Sequence, residues 1–153
     1  MRNLIEADVI MKKSLFKNIL RIVLGLFMTL AGVGHLTFQR QEFQAQVPSW
    51  LPDNPAFIDF VVISSGIVEI IFGLCLILLV KKKVFVGIGL AIFFLLVFPG
   101  NISQYLNEVD AFGLDTDLKR LIRLFFQPIL ILWALWSTDA LYHLMNRTKT
   151  QNT

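Results

Sequence analysis

Cysteine and histidine are almost missing from this chain, and charge is thin. Cys75 is the one cysteine in 153 residues, and it lies inside an apolar block. That single count excludes an intrachain disulfide, a CxxC redox pair and a cysteine-based metal site. The two histidines, His35 and His143, are too few to build a zinc site. They also fall at opposite ends of the hydrophobic blocks described below, whereas a bis-histidine haem needs both ligands at one depth. No glycine-rich phosphate loop and no nucleophile paired with a base stand out. Gly32-x-Gly34 follows no strand and reads as a helix-packing feature, not a dinucleotide fingerprint. Charged residues make up 16% of the chain against 56% hydrophobic, and the mean hydropathy is +0.67. A water-soluble domain of this length keeps a more polar surface, so the excess points to lipid as the solvent.

What is present is apolar sequence in blocks rather than in the i, i+3, i+4 stripes of a half-buried helix. The blocks cover about residues 15–38, 59–80, 84–102 and 121–141. At 1.5 Å per residue each can cross a hydrocarbon core of roughly 30 Å, and helix is the conformation that satisfies its own backbone there. The expected fold is an all-α membrane protein, a four-transmembrane-helix bundle over residues 15–142. A flexible cytoplasmic extension, residues 1–14, precedes it, and a cytoplasmic tail, residues 143–153, follows. Met11-Lys12-Lys13 reads like a start, which would make residues 1–10 a mobile extension. The first block has the basic front of a signal peptide and a small pair at Ala31-Gly32. Its apolar run continues past that pair, so a retained span is expected.

Ten of the fourteen basic residues fall on one side of these spans: Arg2, Lys12, Lys13, Lys17, Arg21, the triplet 81–83, Arg147 and Lys149. Arg40, Lys119, Arg120 and Arg123 fall on the other, mixed with acids. The positive-inside bias places both termini in the cytoplasm. Because the basic residues cluster where blocks end, and not along one face, the net charge of +3 does not read as a nucleic-acid surface. On the outer side, residues 39–58 carry Val47-Pro48-Ser49-Trp50-Leu51-Pro52 and are expected to lie on or dip into the leaflet, anchored by Trp50. The acidic segment 103–120 is expected to be aqueous, and Asp59 and Asp139 to face water at span ends.

Four polar side chains stand inside the spans: His35, Glu69, Asn101 and Gln127. Around Glu69, Ser65, Gly66 and Gly73 lie at i−4, i−3 and i+4, and small residues mark the side where membrane helices approach closely. Gly25, Thr29, Gly32 and His35 share a face of span 1. Asn101 shares one with Gly87, Ala91, Phe94 and Phe98, and Gln127 one with Arg123, Ala134 and Thr138. Pro99 is expected to kink or end span 3. All four polar residues are thus expected to look inward, with His35, Asn101 and Gln127 in the outer half and Glu69 near the midplane. An intramembrane carboxylate is a functional candidate by default. A plainer reading stays beside it: Glu69 and Gln127 as hydrogen-bonding glue, each bond contributing about 1 kcal/mol, and His35 and Asn101 as solvated or capping groups.

These residues carry a resemblance. Gly34-His35, the segment 47–52, Ser65-Gly66-Ile67-Val68-Glu69 with Gly73, Val97-Phe98-Pro99-Gly100-Asn101-Ile102 and Arg123-Leu124-Phe125-Phe126-Gln127-Pro128 together resemble the DoxX family of bacterial four-helix membrane proteins, over roughly residues 19–137. The resemblance implies a location in the bacterial inner membrane and a membrane subunit of a redox system, as in a quinone-reducing thiosulfate dehydrogenase or an oxidative-stress complex with superoxide dismutase. Quinone is the cofactor it implies, with His35 and Glu69 as proton partners. The chain has no electron carrier of its own. It would be at most one subunit of an oxidoreductase, dependent on a redox partner protein. Two other readings stay open: a small proton-coupled exporter built on Glu69, and a structural or assembly protein without a ligand.

Overall fold

The computed structural model describes the backbone of residues 2–150 and the side chains of residues 11–147. The first and last residues of the expected extension and tail lie outside those bounds. So do the side chains of Arg2 and Lys149, on which part of the orientation argument rests. The described residues are helical with no strand: α1 Arg2–Leu36, α2 Arg40–Ala45, α3 Pro55–Leu78, α4 Lys83–Leu106, α5 Asp117–Ser137 and α6 Ala140–Thr150, with a 3-10 turn at Val80–Lys82. Three stretches, Met11–Leu36, Pro55–Leu78 and Val80–Leu106, are long and apolar enough to cross a membrane. A fourth qualifies only if α5 and α6 count as one span, across a bend of 81°. Leucines, isoleucines and phenylalanines of these helices, such as Leu30, Ile71, Leu95 and Phe125, face outward and are exposed. A multi-pass membrane protein accounts for that perimeter.

Local chemistry sets most helix boundaries. Asn54 caps α3 by accepting from Ala56 N at 2.9 Å, and Pro55 sits in the first turn, where a missing N–H costs nothing. Thr116 caps α5 by accepting from Lys119 N at 3.4 Å. Two boundaries differ from expectation. Helix α4 runs through Pro99 and on to Leu106, although the proline removes one N–H from the ladder. The last span stops at Ser137 instead of continuing to about 141. Thr138 turns its hydroxyl back onto Ala134 O at 2.6 Å, and Asp139 takes a left-handed φ of 61°, which redirects the chain into α6.

Helices α1 and α3 pack backbone to backbone. A Cβ on Gly32 would lie 2.5 Å from Gly66 O, one on Gly25 would lie 2.8 Å from Gly73 O, and one on Gly73 would collide with Thr29. These are the small residues whose spacing defined the inward faces. Helix α4 packs on α5, with Gly87 leaving room for Thr138. The two pairs close around a core of Leu24, Met28, Leu76, Val86, Leu90, Phe94 and Ala134.

One end of the bundle is basic and clamped. Asp139 accepts from Lys17 of α1 and Lys83 of α4, each at 2.6 Å, so a single carboxylate ties three elements. Burial alone would raise the Asp139 carboxyl, but hydrogen bonds and charge from the two lysines hold it below its ordinary range. Arg21, only 3% exposed, donates to Leu76 O and so satisfies a carbonyl in the last turn of α3. Trp133 Nε1 donates to Leu20 O at 3.2 Å and joins α5 to α1. The other end is roofed by α2 and the two long connections. Arg40 forks onto Asp59 with one bond of 2.8 Å, and Gln44 adds another of 2.9 Å, which pins α2 to α3. Asp59 and Asp139 are therefore ion-paired, and do not simply face water.

Candidate functional site

Between the core and the roof lies a cavity of about 890 Å³. Each helix from α1 to α5 contributes to its wall, and His35, Glu69, Asn101 and Gln127 all line it. Most of the lining is apolar, with phenylalanines from α4 and α5 and the tryptophans Trp50 and Trp133. A few converging polar groups in an apolar wall are the usual makeup of a small-molecule site.

The polar groups form two clusters. In the first, His35 Nδ1 lies 3.2 Å from Val62 O. A carbonyl only accepts, so Nδ1 carries the proton. The far nitrogen, Nε2, then faces Glu69 Oε2 at 3.3 Å, and that oxygen is buried without a hydrogen-bond partner of its own. This contact is attractive when one proton is shared between the two groups, as imidazolium with carboxylate or as neutral imidazole with carboxylic acid. Both side chains are largely buried, at 9% and 13% exposure. Glycine makes the approach feasible: a Cβ on Gly66 would sit 2.6 Å from His35 Cβ. Phe43 of α2 stacks on the imidazole with centroids 3.3 Å apart.

In the second cluster, Asn101 Nδ2 donates to Gln127 Oε1 at 3.0 Å, and Gln127 Nε2 donates to Phe94 O at 2.8 Å. Arg123 completes it, donating through Nε to Asn101 Oδ1 at 3.3 Å and through Nη2 to Gln46 Oε1 at 2.9 Å. Its remaining nitrogen, Nη1, makes no hydrogen bond among the described residues, and the guanidinium also lies 5.1 Å from the Phe112 ring centre. Arg123 interacts electrostatically with Glu69. The cavity thus holds one acid–imidazole pair, one cation and three amides, Gln46, Asn101 and Gln127. Among the described residues no group of three His, Cys, Asp or Glu side chains could hold a metal ion. His143 sits on α6, away from the cavity.

The roof is built from parts that helical periodicity does not reach. Glu42 accepts from Phe112 N at 2.6 Å, and Phe43 meets the Phe112 ring edge-on at 4.7 Å. Gln46 donates to Gln104 at 2.9 Å while holding Arg123. Phe112 itself has φ 58°, a conformation that a bulky side chain holds only where its surroundings fix it. The acidic connection therefore turns back over the cavity, with Ala111 buried, and is not purely aqueous. Arg123, Phe43, Gln46 and Phe112 were absent from the four sequence candidates. Only Arg123 carried a signal, since it shares a helix face with Gln127.

No curated protein and no solved structure matches the chain. A family model described as "Domain of unknown function (DUF8561)" matches residues 24–138, a stretch that contains every cavity residue named above, and the chain belongs to that family.

Proposed function

We propose that this chain is a DoxX-like four-span bundle of the bacterial inner membrane, with both termini cytoplasmic, whose cavity binds a quinone or a similar lipophile for a redox partner protein. The observation that carries the reading is the pairing of His35 with Glu69 opposite Asn101, Gln127 and Arg123 inside one apolar cavity. A quinone carbonyl accepts hydrogen bonds, and Arg123 Nη1 is a donor available for it. Reduction of that carbonyl takes up protons, and the His35–Glu69 pair holds one beside the cavity. In this reading the electrons are supplied by the redox partner protein.

The two tryptophans of the wall supply the assay, because a bound quinone quenches indole fluorescence. Titration with a short-tailed benzoquinone should quench Trp50 and Trp133 saturably. Glu69→Gln and His35→Ala should each weaken binding by about tenfold, the loss of one buried charge-assisted contact. Wild-type affinity in both variants would remove the pair from the site.

A buried carboxylate whose Oε2 has the His35 contact but no hydrogen bond favours a second reading, proton-coupled export of a lipophilic cation. Arg123 counts against it, since the cavity already holds a positive charge near that carboxylate. Proton release on adding a lipophilic cation to the detergent-solubilised protein separates the two. If the polar residues were only structural, their mutation would lower the melting temperature in step with any binding loss.

A further inference from the structure

The roof of the cavity is tied by hydrogen bonds, and its α1/α5 side carries exposed apolar rings. Helices α1 and α5 run in opposite directions and touch where Trp133 donates to Leu20 O. Seven residues on from Leu20 is Phe27, and seven residues back from Trp133 is Phe126. Two helical turns return each to nearly the same face, about 10 Å nearer the roof. Phe27 and Phe126 therefore flank one level of the α1/α5 seam. Both line the cavity, yet they are 60% and 51% exposed on the outer surface of the bundle. Trp50 and Leu96 also line the cavity while 60% and 73% exposed, and what distinguishes Phe27 and Phe126 is that they flank one seam between two helices. The roof contrasts with this: Glu42 to Phe112, Gln46 to Gln104 and Gln46 to Arg123 are hydrogen bonds that entry from that end would break.

We infer that the cavity loads from the side. A membrane lipophile passes between Phe27 and Phe126, sets its polar head against Arg123 and the His35–Glu69 pair, and leaves its hydrocarbon tail in the α1/α5 seam. This rests on the reading of the cavity as a lipophile site and adds the class of ligand, one with a tail. The size supports it, since about 890 Å³ is of the order that holds a drug-sized molecule, and a long acyl or isoprenoid tail must leave such a space.

The test blocks the seam reversibly. Phe126→Cys in a Cys75→Ala background is modified with a bulky, non-fluorescent methanethiosulfonate, and the adduct is later removed with thiol and the thiol washed out. Equilibrium binding of a benzoquinone without a tail, and of the same head with a decyl tail, is read by tryptophan quenching. The adduct should weaken the tailed ligand by about tenfold and the tail-less head by no more than about twofold, and its removal should restore both. Unchanged binding of the tailed ligand, or equal loss for both, overturns the portal. If neither quinone quenches even the unmodified protein, the quinone reading fails separately. The portal is then decided by a phospholipid with a nitroxide on its acyl chain, in nanodiscs. Quenching of Trp133 by that lipid should fall when the adduct is present, and quenching indifferent to the adduct overturns the proposal.

Discussion

Gly66→Ala adds one methyl group where α1 and α3 leave no room for it. The new carbon would lie 2.6 Å from His35 Cβ and 3.0 Å from Gly32 O. Ordinary carbon contacts are about 3.5–4.0 Å, so the seam must open by about 1 Å. Neither neighbour is the tip of a flexible side chain, and neither can swing aside. Helix propensity acts in the opposite direction, favouring alanine by about 1 kcal/mol in a helix interior. The comparison that cancels it is Gly89→Ala in α4. There the same added carbon meets only the edge of the Phe72 ring, at 3.0 and 3.2 Å, and a ring can turn. The difference between the two variants isolates overpacking, about 1–3 kcal/mol. In one detergent, Gly66→Ala should melt several degrees below Gly89→Ala. It should also bind quinone more weakly, because a 1 Å shift of His35 breaks the 3.3 Å contact to Glu69. Equal melting temperatures would refute the close packing of α1 on α3, and with it the account of how His35 is positioned.

Other outcomes follow from the same structure. Asp139→Asn removes the acceptor shared by Lys17 and Lys83, and melting at neutral pH should show a loss of about 1 kcal/mol or less, since the pair is partly solvent-screened. Because the folded carboxyl lies below its unfolded value, the clamp contributes fully above about pH 4 and is lost as pH falls through the folded value. The acid limb of the melting curve should therefore be shallower in Asp139→Asn than in the wild type. Arg123→Met cuts the ties to Gln46 and Asn101, and amide exchange over residues 46–51 should quicken while that over residues 86–94 stays unchanged.

The lipid-facing character of the chain was plain in the sequence, because block hydrophobicity is a one-dimensional property. The inward faces were legible for a related reason. Gly25, Gly32, Gly66 and Gly73 repeat at helical spacing, and the partner of a small residue in a membrane is another backbone. Periodicity cannot report what a connection does after a helix ends. Phe43 and Gln46, on α2 and its C-cap, and Phe112, in the connection before α5, reach the cavity by folding over it from two separate segments, and nothing local marks them. Arg123 counts among the basic residues of the outer side and shares one helix face with Gln127, but it is not among the site candidates. The break after Ser137 was hidden because Thr138 and Asp139 are unremarkable as residues, and their effect lies in a hydroxyl turned backward and a left-handed φ.

The clamp at Asp139 decides which movements the bundle can make. It fastens α1, α4 and the start of α6 at one level, and the Trp133 bond adds a second fastening one turn above. The hydrogen bonds of the roof hold the opposite end, so the bundle is fastened at both ends and freest to spread in between, at the level of Phe27 and Phe126. Removing the Asp139 carboxylate would lengthen the stretch of α1 and α4 left unfastened.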